Sequence, residues 1–284
     1  MAQDTRPYRS VLYIPGSKER ALEKVRNLPV DAIIFDLEDA VAVDEKENAR
    51  STLKVALDQG GYGSRVKIVR INGLNTVWGT DDAKAVADMG ADAVLLPKVG
   101  SAADVDALAA LIPADLPIWA MMETPRGMLN AAEIAAHPRM AGFVMGTNDL
   151  AKELQSRFRA DRLPMLASLS LCLLAARAEG LVIVDGVYNA FKDNEGLQAE
   201  CEQGRDMGFD GKTLIHPAQV ETTNAAYAPS DAEVSLAGRQ IEAFEATEAA
   251  GGGVAVVDGQ IVENLHVVTA RQILAKAEAI AALA

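Results

Sequence analysis

Eight short apolar runs recur along the chain, and their spacing constrains the fold more than any other feature of the sequence. They begin roughly 20 to 40 residues apart, which is the length of a strand–helix–strand unit. Each run is apolar throughout rather than alternating, as expected for strands that are buried on both faces. We therefore predict eight strands, at Val11–Pro15, Ala32–Asp36, Val66–Asn72, Ala93–Lys98, Pro117–Glu123, Gly142–Gly146, Leu181–Val187 and Lys212–His216.

Polar turns and amphipathic stretches separate these runs. The stretch Ser101–Ile112 has apolar residues at helical spacing, and Ser17 and Ser101 stand where N-caps belong. Eight such units in series predict an α/β fold, a (β/α)8 TIM barrel. The alternative is a doubly wound open sheet, which is disfavoured because no strand is followed by the glycine-rich GxGxxG pattern.

The residues after Tyr227 form a second predicted segment. Its pattern indicates a helix at Ser230–Ala249, a glycine joint at Gly251–Gly253, a hairpin around Asp258-Gly259 and a final helix at about 266–283. A structured segment behind a glycine joint is typical of a lid or a domain-exchanging arm, and a docked tail is the alternative. We predict a TIM-barrel catalytic domain at 1–228 and a C-terminal helix–hairpin–helix lid and oligomerisation segment at 229–284.

Composition narrows the class of partner and the compartment. The chain has 27 basic and 40 acidic residues, a net charge of −13, which disfavours nucleic acid and membrane surfaces as partners. Only two cysteines occur, so no disulfide framework is implied. The N-terminal MAQDTRPYRS has no apolar leader core, and no run of eighteen apolar residues occurs. We therefore expect a cytoplasmic protein.

Chemically capable side chains concentrate at the predicted strand ends, which meet at the mouth of a barrel. Glu123 and Asp149 follow neighbouring strands, and two carboxylates with room for water and a substrate oxygen suit Mg2+. The alternative is that they are ion-paired with Arg126 or Lys152. The strand ends also carry Asp36, Glu38, Asp39, Arg70, Asn72, Lys98, Asn148, Asp185 and His216.

Three further groups point to an anionic ligand. Arg70 precedes a glycine turn and is suited to gripping a carboxylate or an enolate oxygen, unless it forms a salt bridge to Asp36 or Glu38. The backbone of Gly146, Thr147, Asn148 and Asp149 can line an anion pocket at a helix start. Basic residues open the first helix and predict a phosphate grip, the alternative being a solvated face paired with Glu19 and Glu23; they are Lys18, Arg20 and Lys24.

The motifs that carry these residues resemble the citrate lyase β-subunit-like family, the HpcH/HpaI aldolases and citrate lyases. They are SVLYIPGSKERALEK, AIIFDLEDAV, VRINGLNT, LLPKV, METPRGMLNA, MGTNDLAKEL, DGVYNAFKD, GFDGKTLIHPAQ and VVDGQIVENLH. They stand in family order and cover nearly the whole chain. Within the family, the chain is most similar to the (3S)-malyl-CoA thioesterase branch, which is paralogous to malyl-CoA lyase.

The resemblance implies a set of roles. It implies Mg2+, with Mn2+ as an alternative ion, on Glu123 and Asp149, and Arg70 polarising a thioester or enolate oxygen. CoA, as part of the substrate, would lie across the mouth near Lys18 and Arg20. The family forms homotrimers or homohexamers in which the C-terminal segment closes over a neighbour's site. We assign substrate and CoA binding to Lys18, Arg20, Arg70, Gly146, Thr147 and Asn148, and catalysis to Arg70, Glu263 and Asp36.

One departure from the family pattern bears on the reaction. The lid of the lyases carries a catalytic aspartate in a motif like Ile-Asp-x-Pro-His, and here Glu263 replaces the aspartate and Leu265 the proline. The extra methylene displaces the carboxylate, and such a misplacement can cost about 10²-fold in C–C cleavage. A displaced carboxylate can instead orient water toward the thioester carbonyl. We therefore expect hydrolysis of (3S)-malyl-CoA to malate and CoA.

Three alternatives remain. The first is a lyase that splits malyl-CoA, β-methylmalyl-CoA or citramalyl-CoA to glyoxylate or pyruvate plus an acyl-CoA. The second is a CoA-free aldolase of the 2-oxo-acid type, which should need neither the basic residues of the first helix nor the C-terminal lid. The third is a non-catalytic CoA-binding or citrate-lyase assembly subunit, which should not depend on Glu123.

Overall fold

The eight predicted strands close into a parallel barrel in which each strand pairs with its neighbours in sequence and β8 pairs with β1. This arrangement confirms the predicted (β/α)8 fold. The computed structural model describes residues 6–283, so the first five residues and Ala284, which the predicted domains and the N-terminal prediction include, lie outside the described residues. Two compact units are present, one spanning Tyr8–Tyr227 and one that contains residues 228–283.

The strands and helices alternate as predicted, with bounds that differ from the predictions by a few residues. The strands are β1 Ser10–Pro15, β2 Ala32–Asp36, β3 Val66–Arg70, β4 Ala93–Leu96, β5 Ile118–Met122, β6 Met140–Met145, β7 Val182–Asp185, β8 Gly211–Leu214, β9 Ala255–Val257 and β10 Gln260–Val262. The helices are α1 Glu19–Lys24, α2 Lys46–Gln59, α3 Gly79–Val86, α4 Ala102–Ala109, α5 Pro125–Leu129, α6 Ala131–Ala135, α7 Thr147–Glu153, α8 Leu166–Glu179, α9 Asn194–Met207, α10 Val220–Tyr227, α11 Asp231–Ala249 and α12 Asn264–Ala281.

The barrel strands are buried on both faces, which explains their unbroken apolar sequence. Side chains on one face fill the barrel interior, and they include Val11, Ile34, Ile68, Trp119 and Val184. Side chains on the other face pack under the helices in a larger core, and they include Leu12, Ile33, Val69, Phe143 and Ile183. Because consecutive strand residues alternate between these faces, a residue's parity decides whether its side chain faces the interior or the helices.

Two predicted details of the first half of the barrel are wrong. Helix α1 begins at Glu19 with Lys18 as the preceding residue, so Ser17 does not cap it. Strand β3 ends at Arg70 rather than Asn72, because the backbone N–H of Asn72 donates to Asp82 Oδ2 at 3.0 Å instead of to a neighbouring strand. Both differences lie where the chain leaves a strand.

The C-terminal unit has the predicted helix–hairpin–helix order. Ser230 caps α11, since its hydroxyl accepts from the Glu233 N–H at 3.2 Å. Strands β9 and β10 pair antiparallel around Asp258-Gly259, both of which have positive φ as this two-residue turn requires. Helix α11 packs against α12 and β9 around Phe244, Val257 and Val262. No helix within residues 6–283 is long and apolar enough to cross a membrane.

Candidate active site

Four polar side chains follow the interior-facing positions of the barrel to its carboxyl-terminal end. Tyr13 is two residues beyond Val11 on β1, Asp36 two beyond Ile34 on β2, and Arg70 two beyond Ile68 on β3. Glu123 lies two residues beyond Met121, just after β5. Asp36 and Arg70 are also register partners on adjacent strands. Side chains of this set therefore meet at the mouth, where barrels of this kind carry out their chemistry.

Arg70 is held by acidic side chains on two sides. Its Nε and Nη2 atoms donate to the two Asp36 carboxylate oxygens at 2.7 and 2.6 Å, and Nη1 lies 2.9 Å from Glu38 Oε2. The predicted salt bridge to Asp36 or Glu38 is thus present with both. Burial alone would lower the pKa of Arg70, but the neighbouring Asp36 carboxylate outweighs it and holds that pKa well above the usual range. A guanidinium has five N–H donors, so a pair of acids orients it without using all of them.

Asp36 also fixes the loop that follows β2. Its carboxylate accepts the backbone N–H groups of Glu38 and Ala40, each at 2.9 Å, besides the Arg70 fork. A fully buried carboxylate with four donors is well satisfied. Asp36 therefore acts on Arg70 as a positioning group.

Glu38 and Tyr13 complete the surroundings of Arg70. Burial raises the pKa of Glu38 to about 7, against the lowering effect of Arg70, so this carboxyl titrates near neutral pH. The ring of Tyr13 lies under the guanidinium, with the Arg70 Cζ atom 5.0 Å from the ring centroid. Sequence reasoning gave Tyr13 no role, although its position two residues after Val11 places it on the interior face.

Glu123 and Asp149 do lie close together, and a lysine joins them. The backbone N–H of Lys98 donates to Glu123 Oε1 at 2.7 Å, and the Lys98 ammonium donates to Asp149 Oδ1 at 2.9 Å. The same ammonium is 3.9 Å from Glu123 Oε1. The ion pairs considered with Arg126 or Lys152 are therefore replaced by one with Lys98.

The electrostatics of this pair reflect burial. Burial raises the pKa of Glu123 to about 7, while Lys98 opposes the rise and Asp149 adds to it. The pKa of Lys98 is raised, since its hydrogen bond to Asp149 and the charge of Glu123 outweigh the effect of burial. Two carboxylates and one ammonium thus form a coupled cluster beside Arg70.

The donor set of the pair fits Mg2+. Magnesium binds through one or two carboxylates and completes its shell with water and substrate oxygens. A Cβ on Gly146 would lie 2.7 Å from Glu123 Oε2, so the glycine leaves the space that this carboxylate occupies. No group of three or more His, Cys, Asp or Glu side chains within residues 6–283 could by itself hold a metal ion. Glu123 and Asp149 are the residues that would hold Mg2+.

The predicted anion pocket lies beside this pair. Gly146 donates its N–H to Met122 O at 2.9 Å, and Thr147, which begins α7, is buried. Asn148 is exposed and exchanges amide hydrogen bonds with Asn189 at 2.8 and 3.2 Å. The strand-to-helix turn after β6 therefore borders Glu123 and Asp149, the two carboxylates that would hold Mg2+. The anion-binding role of the residues in this turn stays a prediction.

Three other predicted site residues are Lys18 and Arg20, which belong to the barrel unit, and Glu263, which belongs to the C-terminal unit. Lys18 and Arg20 are exposed at the start of α1, which follows β1 on the catalytic side of the barrel. Glu263 precedes α12 in the C-terminal unit, is exposed, and donates its backbone N–H to His266 Nδ1 at 3.0 Å. Their roles in binding CoA and in catalysis stay predictions.

Of the strand-end residues expected at the mouth, Asp185 instead faces the helices, whereas His216 stands at the carboxyl end of β8 as expected. Asp185 on β7 faces the helices, where Arg162 Nη1 donates to its Oδ2 at 2.6 Å and Lys212 Nζ at 3.1 Å. His216 lies two residues after β8 and packs against Phe191, with ring centroids 4.6 Å apart. Asp185 has the parity of Ile183, which packs under the helices, so its carboxylate faces the helices and not the barrel interior.

The cysteines take no part in the candidate site. Cys172 and Cys201 are both free and buried, as expected for core residues. Burial raises the pKa of Cys172 to about 12 and that of Cys201 to about 11, so neither thiol is activated as a nucleophile.

Comparison with known proteins gives a consistent family. Residues 9–217 match the HpcH/HpaI aldolase/citrate lyase family, and residues 163–281 match the C–C bond lyases of the TIM-barrel fold. A (3S)-malyl-CoA thioesterase of Cereibacter sphaeroides is 71% identical over 282 residues, which cover 99% of this chain and 99% of that protein. The citrate lyase subunit beta of Escherichia coli is 35% identical over 96% of this chain and 94% of its own.

A solved structure agrees with these relatives. The CitE protein of Mycobacterium tuberculosis, in complex with magnesium, acetoacetate and coenzyme A, superposes with a TM-score of 0.81 at 32% identity. The match covers 96% of this chain and 99% of that one. Similarity therefore extends through the barrel and the C-terminal segment.

Proposed function

Because the chain belongs to the HpcH/HpaI aldolase/citrate lyase family, we propose that it hydrolyses (3S)-malyl-CoA to malate and CoA with Mg2+ as cofactor. The observation that carries this assignment is the 71% sequence identity with the thioesterase of Cereibacter sphaeroides, which extends over 99% of both chains. The cluster of Arg70, Glu123 and Asp149 supports it, because positive charge held in a fixed position stabilises the oxyanion that develops during thioester hydrolysis.

In this reaction water adds to the thioester carbonyl carbon, the C–S bond breaks, and the CoA thiol leaves with a proton. Arg70, oriented by Asp36, donates hydrogen bonds to the carbonyl oxygen as its negative charge grows. Glu123 and Asp149 would hold the metal, and Mg2+ bound there would supply Lewis-acid polarisation of substrate oxygens. Mn2+ prefers similar oxygen ligands and is the alternative ion.

The substrate-binding roles extend around the mouth. Lys18 and Arg20 offer exposed positive charge to the phosphates of CoA at the end of β1. The turn formed by Gly146, Thr147 and Asn148 borders the two candidate Mg2+ ligands and contacts the acyl end of the substrate. Glu263 orients the attacking water, with its unit acting as the lid.

A second reaction, retro-Claisen cleavage of malyl-CoA or a related acyl-CoA, is favoured by the match to the C–C bond lyases and by the citrate lyase relatives. That reaction places a base close to the thioester α-carbon, and Glu263 stands where the lyase pattern has an aspartate. Its carboxylate is one methylene farther from the backbone. We therefore assign hydrolysis as the main reaction.

We also propose a cytoplasmic homotrimer or homohexamer. The C-terminal unit exposes several apolar side chains, which suits a contact between copies of this chain; they are Val254, Val256, Ile261, Leu265 and Val268, of which Val256 and Ile261 are register partners. Two free, buried cysteines are compatible with a reducing compartment.

Replacing one metal-binding carboxylate tests the assignment. Glu123→Gln keeps the size of the side chain but removes its charge, so CoA release from (3S)-malyl-CoA should fall by at least about 10²-fold. Glu153→Gln, on the exposed side of α7, serves as the matched control and should retain activity. Activity of the Glu123→Gln variant near the wild-type level, or wild-type activity that survives a chelator, would contradict a magnesium-dependent enzyme.

A further inference from the structure

Lys98 contacts the two candidate metal ligands, Glu123 and Asp149, through different groups: its backbone N–H and its side-chain ammonium. Its backbone N–H fixes Glu123 Oε1, and its ammonium pairs with Asp149 Oδ1. To do so, Lys98 adopts φ +53°, a left-handed conformation that a residue other than glycine rarely takes. Strained backbone of this kind persists where the surrounding structure holds it, and it concentrates at functional sites.

The side chain of Lys98 is held in its position less firmly than the side chain of Arg70. Lys98 is 48% exposed and rests on a flexible four-carbon stem, whereas Arg70 is 8% exposed and is held by Asp36 and Glu38. Of these two cations at the mouth, Lys98 is therefore the one whose charge can move without breaking a buried network. An exposed ion pair of this type is weak enough to exchange.

A dication and the Lys98 ammonium compete for the same oxygen. Asp149 Oδ1 is the acceptor of the ammonium, and Glu123 Oε1 is 3.9 Å from it. A dication held by these two carboxylates would bring two further positive charges against the ammonium, and like charges at contact distance repel each other. Binding of the metal therefore favours a lysine that has turned away from Asp149.

We propose that Lys98 is a positioning residue that exchanges with the metal at Asp149 and then presents its ammonium to the anionic acyl end of the substrate. In the absence of the dication, the ammonium neutralises the repulsion between Glu123 and Asp149. Once displaced, it adds a mobile positive charge to the mouth, where a dicarboxylate such as malate carries negative charge. The backbone N–H of Lys98 keeps Glu123 in place throughout. This inference rests on the magnesium assignment of the proposed function.

If this exchange occurs, removal of the Lys98 ammonium should strengthen Mg2+ binding and weaken anion binding. Lys98→Asn and Lys98→Gly both remove the ammonium, and both residues tolerate the left-handed backbone. Titration calorimetry should show Mg2+ binding about two- to fivefold more tightly in either variant than in the wild type, since the competing ion pair is gone. With Mg2+ saturating, malate should bind about two- to fivefold more weakly. Lys84→Asn, on the exposed face of α3, is the matched control and should change neither affinity.

Circular dichroism and thermal melting establish that each variant is folded before titration, and having two substitutions guards against failure of one. A lysine with only a structural role would weaken both affinities when removed. Unchanged or weaker Mg2+ affinity would overturn the exchange, and unchanged malate affinity would overturn the transfer of charge to the substrate. Absence of Mg2+ binding in every protein, the wild type included, would contradict the magnesium assignment and this inference together.

Discussion

At the scale of single residues, the orientation of Arg70 separates its role from that of an ordinary cation. A fork that fills both oxygens of Asp36 fixes the plane of the guanidinium, and a lysine ammonium cannot reproduce this geometry. The effect of this guanidinium–carboxylate geometry on catalysis can be separated from its effect on folding, because the barrel has a similar fork at its opposite end. There, Arg9 donates through Nε and Nη2 to the two oxygens of Asp31 at 2.9 and 2.8 Å.

Arg70→Lys should therefore lower kcat for CoA release by about 10² to 10³-fold, the loss seen when one donor to a developing oxyanion is removed. Arg9→Lys breaks an equivalent fork just before β1 and should leave kcat within about twofold, although it lowers thermal stability. Steady-state kinetics and melting curves of both variants make the comparison. Equal losses of kcat would show that fork geometry matters only for folding.

Glu38 predicts a pH dependence of stability. Burial raises the pKa of this carboxyl from 4.5 to about 7, so between these values the folded protein retains a proton that the unfolded chain has released. Stability from this group is therefore fully present below about pH 4.5 and declines as the pH rises through 7. Glu38→Gln keeps a neutral group at every pH, and its melting temperature relative to the wild type should increase from pH 5 to pH 8.

The exposed Glu47 on α2 provides the control for this experiment. Glu47→Gln should shift the melting temperature equally at both pH values, because its carboxyl is solvated. A melting difference between Glu38→Gln and the wild type that is independent of pH would rule out a buried proton on Glu38. The variants are compared in chelator, so that metal binding does not contribute to stability.

At the scale of elements, the turn between β6 and α7 determines where the Glu123 carboxylate, one of the two candidate Mg2+ ligands, can lie. Gly146 packs against the Glu123 side chain so closely that a Cβ would collide with it. Gly146→Ala should therefore push the carboxylate aside and weaken Mg2+ binding by at least about tenfold, as calorimetry would measure. Gly238, in the middle of α11, has no atom near its hypothetical Cβ. Gly238→Ala should leave metal affinity unchanged and stabilise the helix by up to about 1 kcal/mol. Equal metal affinities in all three proteins would refute the packing argument.

The elements themselves were largely predictable from the sequence, whereas their contacts at the mouth were not. Unbroken apolar runs predicted all eight barrel strands, because burial on both faces requires them. That same property concealed which face each residue uses, and so Asp185 was expected at the mouth although it faces Arg162 and Lys212. The pairing of Lys98 with Asp149 depends on a left-handed residue just after β4, which no periodic pattern encodes.

At the scale of the whole molecule, sequence and structure contribute different parts of the functional account. The order of motifs predicts the family, and comparison with the Cereibacter thioesterase and the Mycobacterium structure confirms it. The barrel brings Asp36, Arg70, Glu123 and Asp149 into one cluster, as the rule of converging strand ends predicts. Glu263 belongs to the C-terminal unit, and its role in choosing between hydrolysis and C–C cleavage stays a prediction.

The identity of the products tests the central claim most directly. Purified protein is incubated with (3S)-malyl-CoA and Mg2+ in ¹⁸O-labelled water, and the products are separated and weighed by mass spectrometry. Hydrolysis predicts equal amounts of free CoA and malate, with one labelled oxygen in each malate. Glu263→Asp, which restores the residue of the lyase pattern, should shift part of the product to glyoxylate and acetyl-CoA. If the wild type itself gives glyoxylate and acetyl-CoA instead of labelled malate, the protein is a lyase and the proposed hydrolysis is wrong.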